Sequence, residues 1–388
     1  MGEASGKDSI RPSEADGDKK RIDSFTSKKI VVLSFVCAVM VVFIHSTGYK
    51  YFDLSSSSLF TGGVKVFTDY ITRAVTKGAV SMFFAISGFL FFWGIDMHDK
   101  TKQSRVFKRK LATRFKTLLI PYLIWNIIWM LFRIFVTYTP IIANNIESLE
   151  KFEPSIGNVL SGIFLFKYNG VCWYLFYLML YEAASPLLLI IFRKKFLAMM
   201  FLGASFLVSG ISFGNQWMVY VTRFNSLFFY CLGAFLALYG FGIVDRRYSK
   251  IVILASGVLF LVVTFVFCFV HINEYVDELL RIVYVGSLWI LAECFIQLKL
   301  FWWMETSFFI YLFHGFPQQC VNKIFSFILS NTEKLAPLSV IINTVGGVAV
   351  TVIMGISFAF VLLKMCKPIW NLLSGYRVPK RYQNQAAT

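Results

Sequence analysis

IVVLSFVCAVMVVFIHSTGY, residues Ile30 to Tyr49, is a run of twenty mostly apolar residues whose only basic group is His45. At about 1.5 Å per helical residue it spans the roughly 30 Å of hydrocarbon in a bilayer. Comparable runs lie near Gly78 to Ile95, Leu118 to Thr137, Val171 to Phe192, Phe196 to Phe213, Leu227 to Ile243, Ile251 to Val270, Leu279 to Leu298, Phe301 to Cys320 and Ser339 to Cys366. The expected fold is therefore an all-α integral membrane protein of about ten transmembrane helices. The runs are continuous rather than alternating, which excludes a barrel, and a helix satisfies its own backbone in lipid.

Composition agrees, with 57% hydrophobic and 15% charged residues in 388 and a mean hydropathy of +0.66. A net charge of +17 points to nucleic acid in a soluble chain; here the cations collect between the apolar runs and set topology instead. Lys100, Lys102, Arg105, Lys108, Arg109, Lys110, Arg114 and Lys116 precede the third run. That segment is expected in the cytosol. The same alternation places Arg193 to Lys195, Arg246, Arg247, Lys250 and the basic C-terminal tail inside, and Glu147, Glu150, Glu153, Glu274, Asp277 and Glu278 in outer loops. Both termini are then cytoplasmic. Residues 1–29 lack a signal peptide's apolar core and cleavage site and are expected as a disordered cytosolic tail. Residues 30–370 form the membrane domain and 371–388 a second cytosolic tail. The seven cysteines sit singly, with no C-x-x-C pair and no His/Cys cluster, so neither a metal nor a disulfide framework is expected.

Ionisable groups at membrane depth are functional candidates, although many only bond a neighbouring helix. His45 and His314 fall at similar outer depth by residue count, Arg133 on the third helix reaches a comparable level, and Glu182 on the fourth lies near the midplane. Ser34, Ala38, Val41 and His45 share one face of the first helix, a slender stripe that either packs closely or lines a passage. The Ser87-Gly88 pair permits local unwinding or the close approach of another group. Trp173 and Tyr174 open the fourth helix and fit either the interfacial belt or a sugar ring.

Several stretches together resemble the acyltransferase 3 family of membrane proteins, in particular its surface polysaccharide O-acyltransferase branch. Ser34 to Ser46 (SFVCAVMVVFIHS) is similar to the family's first helix with its catalytic histidine, and Ala79 to Leu90 (AVSMFFAISGFL) to its phenylalanine-rich Ser-Gly helix. Arg109 to Trp125 (RKLATRFKTLLIPYLIW), Cys172 to Pro186 (CWYLFYLMLYEAASP) and Phe309 to Phe316 (FIYLFHGF) resemble its basic Pro-Tyr, Trp-Tyr-Leu and Tyr-Leu-x-His segments. One position departs: the basic residue usual eleven places before the histidine is Ser34.

The resemblance implies O-acetylation, the transfer of an acyl group, most often acetyl, from acetyl-CoA or another acyl-CoA to a hydroxyl of a cell-surface or lipid-linked glycan. It implies no permanently bound cofactor and no nucleic acid, and an integral protein of a bacterial inner (cytoplasmic) membrane. His45 is the expected base, with Glu182 or another buried partner orienting or charge-balancing it and His314 or Arg133 stabilising the oxyanion or gripping the acceptor. Lys29, Arg109 and Arg114 are expected to bind the donor, and Arg133, Trp173, Tyr174 and Ser87 the acceptor. A secondary transporter or lipid-linked glycan flippase is the alternative; no internal repeat supports it.

Overall fold

The computed structural model describes residues 22–46, 52, 59–97, 99–139, 151–211, 224–296, 300–329 and 336–383. Among them every regular element is helical. Helix α1 is Ser24–Ile44, capped by the Asp23 carboxylate, which accepts from the amides of Phe25 and Thr26. The helix thus begins six residues before the apolar run, and Ser24 to Lys29 are not tail. Helix α2 (Leu59–Asp69) continues through a π turn, Tyr70–Ala74, towards α3, Ala79–Phe92. The basic segment is helix α4, Lys100–Arg114, running through a second π turn, Phe115–Leu119, into α5, Ile120–Tyr138. Helix α6 is Ile156–Phe164. The expected fourth span is two helices, α7 (Trp173–Ala183) and α8 (Ser185–Ile191), bent by 54°.

Proline explains the π turn before α5 and the bend between α7 and α8, since it lacks an N–H and its ring crowds the carbonyl four residues back. Pro186 takes the usual donor from the Glu182 carbonyl, which accepts instead from Ser185 Oγ at 2.5 Å. Pro121 does the same to the Thr117 carbonyl. Hydropathy averages the side chains and cannot register either change in the backbone.

Helices α9 (Lys195–Ser209) and α10 (Phe224–Tyr239) are short and apolar, followed by α11 (Lys250–Phe269) and α12 (Glu274–Leu291). Glu274, Asp277 and Glu278, read as a loop, lie in the first turns of α12 behind the Asn273 cap, where acidic groups complement the helix dipole. The expected ninth span is also divided, into α13 (Ser307–Phe313) and α14 (Gly315–Leu329). Helices α15 (Gly347–Met365) and α16 (Lys367–Ser374) follow. Six helices are long and apolar enough to cross a membrane, or seven with the bent pair. The length test among the described residues thus falls short of the ten apolar runs.

Lipid is as apolar as leucine, so helices in it associate by close packing and interhelical hydrogen bonds. Gly88 of α3 and Gly233 of α10 meet backbone to backbone: a Cβ on Gly88 would stand 2.0 Å from the Tyr230 carbonyl oxygen, and one on Gly233 1.9 Å from that of Ala85. Tyr284 Oη donates to the Val75 carbonyl at 2.5 Å, and Tyr311 Oη donates to that of Val171. Lys110 donates to the carbonyls of Leu90, Phe91 and Trp93, closing the C-terminal end of α3 with a cation. Ile251, Leu254, Leu261 and Phe265 of α11 are exposed, a lipid-facing surface.

Candidate active site

Helix α1 ends at His45, whose amide is shared between the carbonyls of Val41 and Val42. Its ring lies 5.3 Å, centroid to centroid, from that of His314. His314 is fully buried between α13 and α14, and its Nδ1 stands 2.6 Å from the Tyr311 carbonyl oxygen. A carbonyl only accepts, so that contact places the proton on Nδ1 and leaves a lone pair on Nε2. The structure thus brings together the two histidines that the sequence set at similar depth.

Around them lies a polar cluster that sequence reasoning missed. Ser46 Oγ donates to the Thr344 carbonyl at 3.1 Å, Gln318 Nε2 to Asn322 Oδ1 at 2.9 Å, and Asn343 Nδ2 to the Asn322 carbonyl at 3.0 Å. His314 Nε2, Gln318 Oε1, Asn343 Oδ1 and Thr344 Oγ1 are buried with no hydrogen-bond partner among the described residues. Buried polar atoms are ordinarily bonded, to protein, water or ligand. Gln318 and Asn322, four and eight residues beyond His314, were the legible signal: amides at helical spacing within an apolar run.

Glu182 stands elsewhere. Its buried carboxylate faces Arg114 Nε at 3.4 Å, and among the described residues no hydrogen bond or ion pair joins it to either histidine. It therefore cannot orient the His45 ring in this arrangement. Arg114 lines a cavity of about 310 Å³ whose walls include Ser34, Ser87, Tyr174, Tyr311 and Arg377. Ser87 and Tyr174, expected with the acceptor, are hydrogen-bonded to each other at 2.9 Å in this wall. Rings continue from the cavity to the histidines, with Tyr174 5.5 Å from Tyr311 and Tyr311 6.1 Å from His314. Trp173 is half-buried beside Phe84 at the start of α7, and Arg133 half-buried on α5; neither lines this cavity.

Lys29 and Arg109, expected with the donor, do not reach the cavity either. Lys29 is buried, 2.9 Å from Glu293 Oε1, with its ammonium 4.9 Å from the Trp289 ring centroid. Arg109 is exposed on α4. Arg377 was counted only among the tail's topology charges. The left-handed turn at Gly375, with φ of 64°, carries it back into the protein, where a Cβ on that glycine would stand 2.2 Å from the Thr117 carbonyl oxygen.

Fold and site define a polytopic membrane protein with a histidine pair near the end of its first helix and a cleft carrying two guanidinium groups nearer that helix's beginning. Residues 30–363 match the family model described as an acyltransferase domain, and the chain belongs to the acyltransferase 3 family; it is a membrane acyltransferase. No curated protein and no solved structure matches it.

Proposed function

We propose that this protein transfers an acetyl group from acetyl-CoA to a hydroxyl of a cell-surface or lipid-linked glycan. The observation that carries the reading is the spacing of cleft and histidines along one helix. Ser34 lines the cleft and His45 lies eleven residues on, about 16 Å at a helical rise, a gap the pantetheine arm of CoA can span. The donor enters from the cytosol with its phosphates by Arg114, and its thioester arm passes Ser87 and Tyr174. The acceptor lies against Trp173 and the amide-rich cluster, whose unbonded groups suit a polyhydroxylated ligand.

His45 removes the acceptor's hydroxyl proton as the oxygen attacks the thioester carbonyl carbon. The C–O bond forms, the C–S bond breaks, and the imidazolium returns the proton to the departing thiolate. His314, its Nδ1–H committed, offers Nε2 as an acceptor; an N–H from His45 directed there leaves the other His45 nitrogen as the base. The six long helices, the bent pair α7–α8, the short helices α9 and α10 and the interrupted pair α13–α14 make the ten crossings of this proposal, with both termini in the cytoplasm of a bacterial inner membrane.

The test offers acetyl-CoA labelled in the acetyl group to the purified protein. Release of CoA with the label on a glycan acceptor or in acetate is the expected result. Substrate flux across vesicles without cleavage of the thioester would replace this reading by a transporter.

A further inference from the structure

We infer that Arg377, delivered by the segment after the last spanning helix, forms with Arg114 the phosphate-binding end of the donor cleft. The inference rests on the acyl-CoA reading above. It concerns how this particular chain holds an anion where the facing position of α1 is Ser34, a residue without charge.

The guanidinium of Arg377 is fixed on three sides. Its plane lies over the Phe308 ring, with Cζ 3.7 Å from the centroid, and its Nη1 donates to the carbonyls of Thr117 at 3.0 Å and Ser374 at 3.1 Å. The Thr117 carbonyl is the one that Pro121 deprives of its helical donor. Trp370 Nε1 donates to the Arg377 carbonyl at 3.0 Å, holding the backbone as well. Carbonyls accept hydrogen bonds without neutralising a charge. Arg377 forms no ion pair among the described residues, and the carboxylate of Glu182 faces Arg114. Among the described residues one carboxylate lines the cavity, that of Glu305, and it accepts from the Lys380 amide at 2.9 Å. Nε and Nη2 of Arg377 have no hydrogen-bond partner among the described residues and are not enclosed, so they are left to the cavity that the residue lines.

A half-buried cation held by neutral groups, with two N–H donors left to the cavity it lines, recognises an anion with paired oxygens. A phosphate or pyrophosphate fits that fork better than a single point charge does. Burial, and then the charge of Arg114, press the pKa of Arg377 down to about 9. It stays a cation at neutral pH, with no ion-pair partner among the described residues.

The experiment compares acetyl-CoA with S-acetylpantetheine, which carries the same thioester and no phosphate. Arg377→Gln is expected to raise KM for acetyl-CoA by roughly 10- to 100-fold, the loss of a charge-assisted hydrogen bond, with kcat little changed and KM for S-acetylpantetheine unmoved. A purely structural Arg377 would alter both donors alike, and that result overturns the inference, as does an unchanged KM for acetyl-CoA. Should the glutamine variant not fold, Arg377→Lys keeps the charge and loses the fork. Inorganic pyrophosphate should then compete with acetyl-CoA several-fold more weakly than in the wild type; equal competition overturns the inference. A wild-type chain that binds no acetyl-CoA overturns the donor reading and this inference together.

Discussion

At His45 the helical hydrogen bonds of α1 run out, and the imidazole is placed by the chain turn and by the His314 ring 5.3 Å away. A general base contributes about 10² to 10⁴ in rate, so if His45 is the base as proposed, His45→Ala lowers kcat by that factor with the protein still folded, read as CoA release by purified enzyme. Lys29 gives the opposite pattern. Removing one partner of a buried ion pair costs about 3–5 kcal/mol, so Lys29→Ala should lower the melting temperature in detergent, and the Lys29→Ala, Glu293→Ala double variant should recover part of the loss. A changed KM for acetyl-CoA in a stable Lys29→Ala protein would return that residue to the donor site. The histidines were legible because depth follows from counting residues along a span. The partner of Lys29 was not, since Glu293 is 264 residues distant and no local pattern joins them.

The elements are fixed by features that a hydropathy profile does not contain. Two glycines set the crossing of α3 and α10, and any Cβ there meets a carbonyl oxygen at about half a normal contact distance. Gly233→Ala is expected to cost at least about 1–3 kcal/mol, the usual range for overpacking, seen as a lower unfolding temperature in detergent; unaltered stability would mean the two backbones do not touch. Gly88 was legible as a point of possible close approach, but Gly233 and the breaks at Pro121 and Pro186 lay inside continuous apolar runs. Lys110 shows the same limit. Counted as one of eight topology charges, it also closes α3 by donating to three carbonyls, so Lys110→Ala should destabilise the protein far more than Lys108→Ala, whose side chain is exposed.

For the whole molecule the central matter is direction: in the proposed reaction an anionic donor is held near the beginning of α1 and a base at its end, with an acyl group passing between. Thiol labelling should reach a cysteine at Lys108 and one at Glu153 from opposite sides of sealed vesicles; labelling both from one side would remove the transmembrane route. The fold class and the family were legible because spanning runs and the histidine-bearing segments lie along the chain. The cleft was not, since its walls come from α1, α3, α4, α7, α13 and the segment after α16, which only the folded chain assembles. The most direct test is the mass of surface glycans from cells making the wild-type protein or His45→Ala at matched membrane levels. The account predicts glycans heavier by whole acetyl groups with the wild type and none with His45→Ala, whereas the same acetylated glycans from the His45→Ala cells would contradict it.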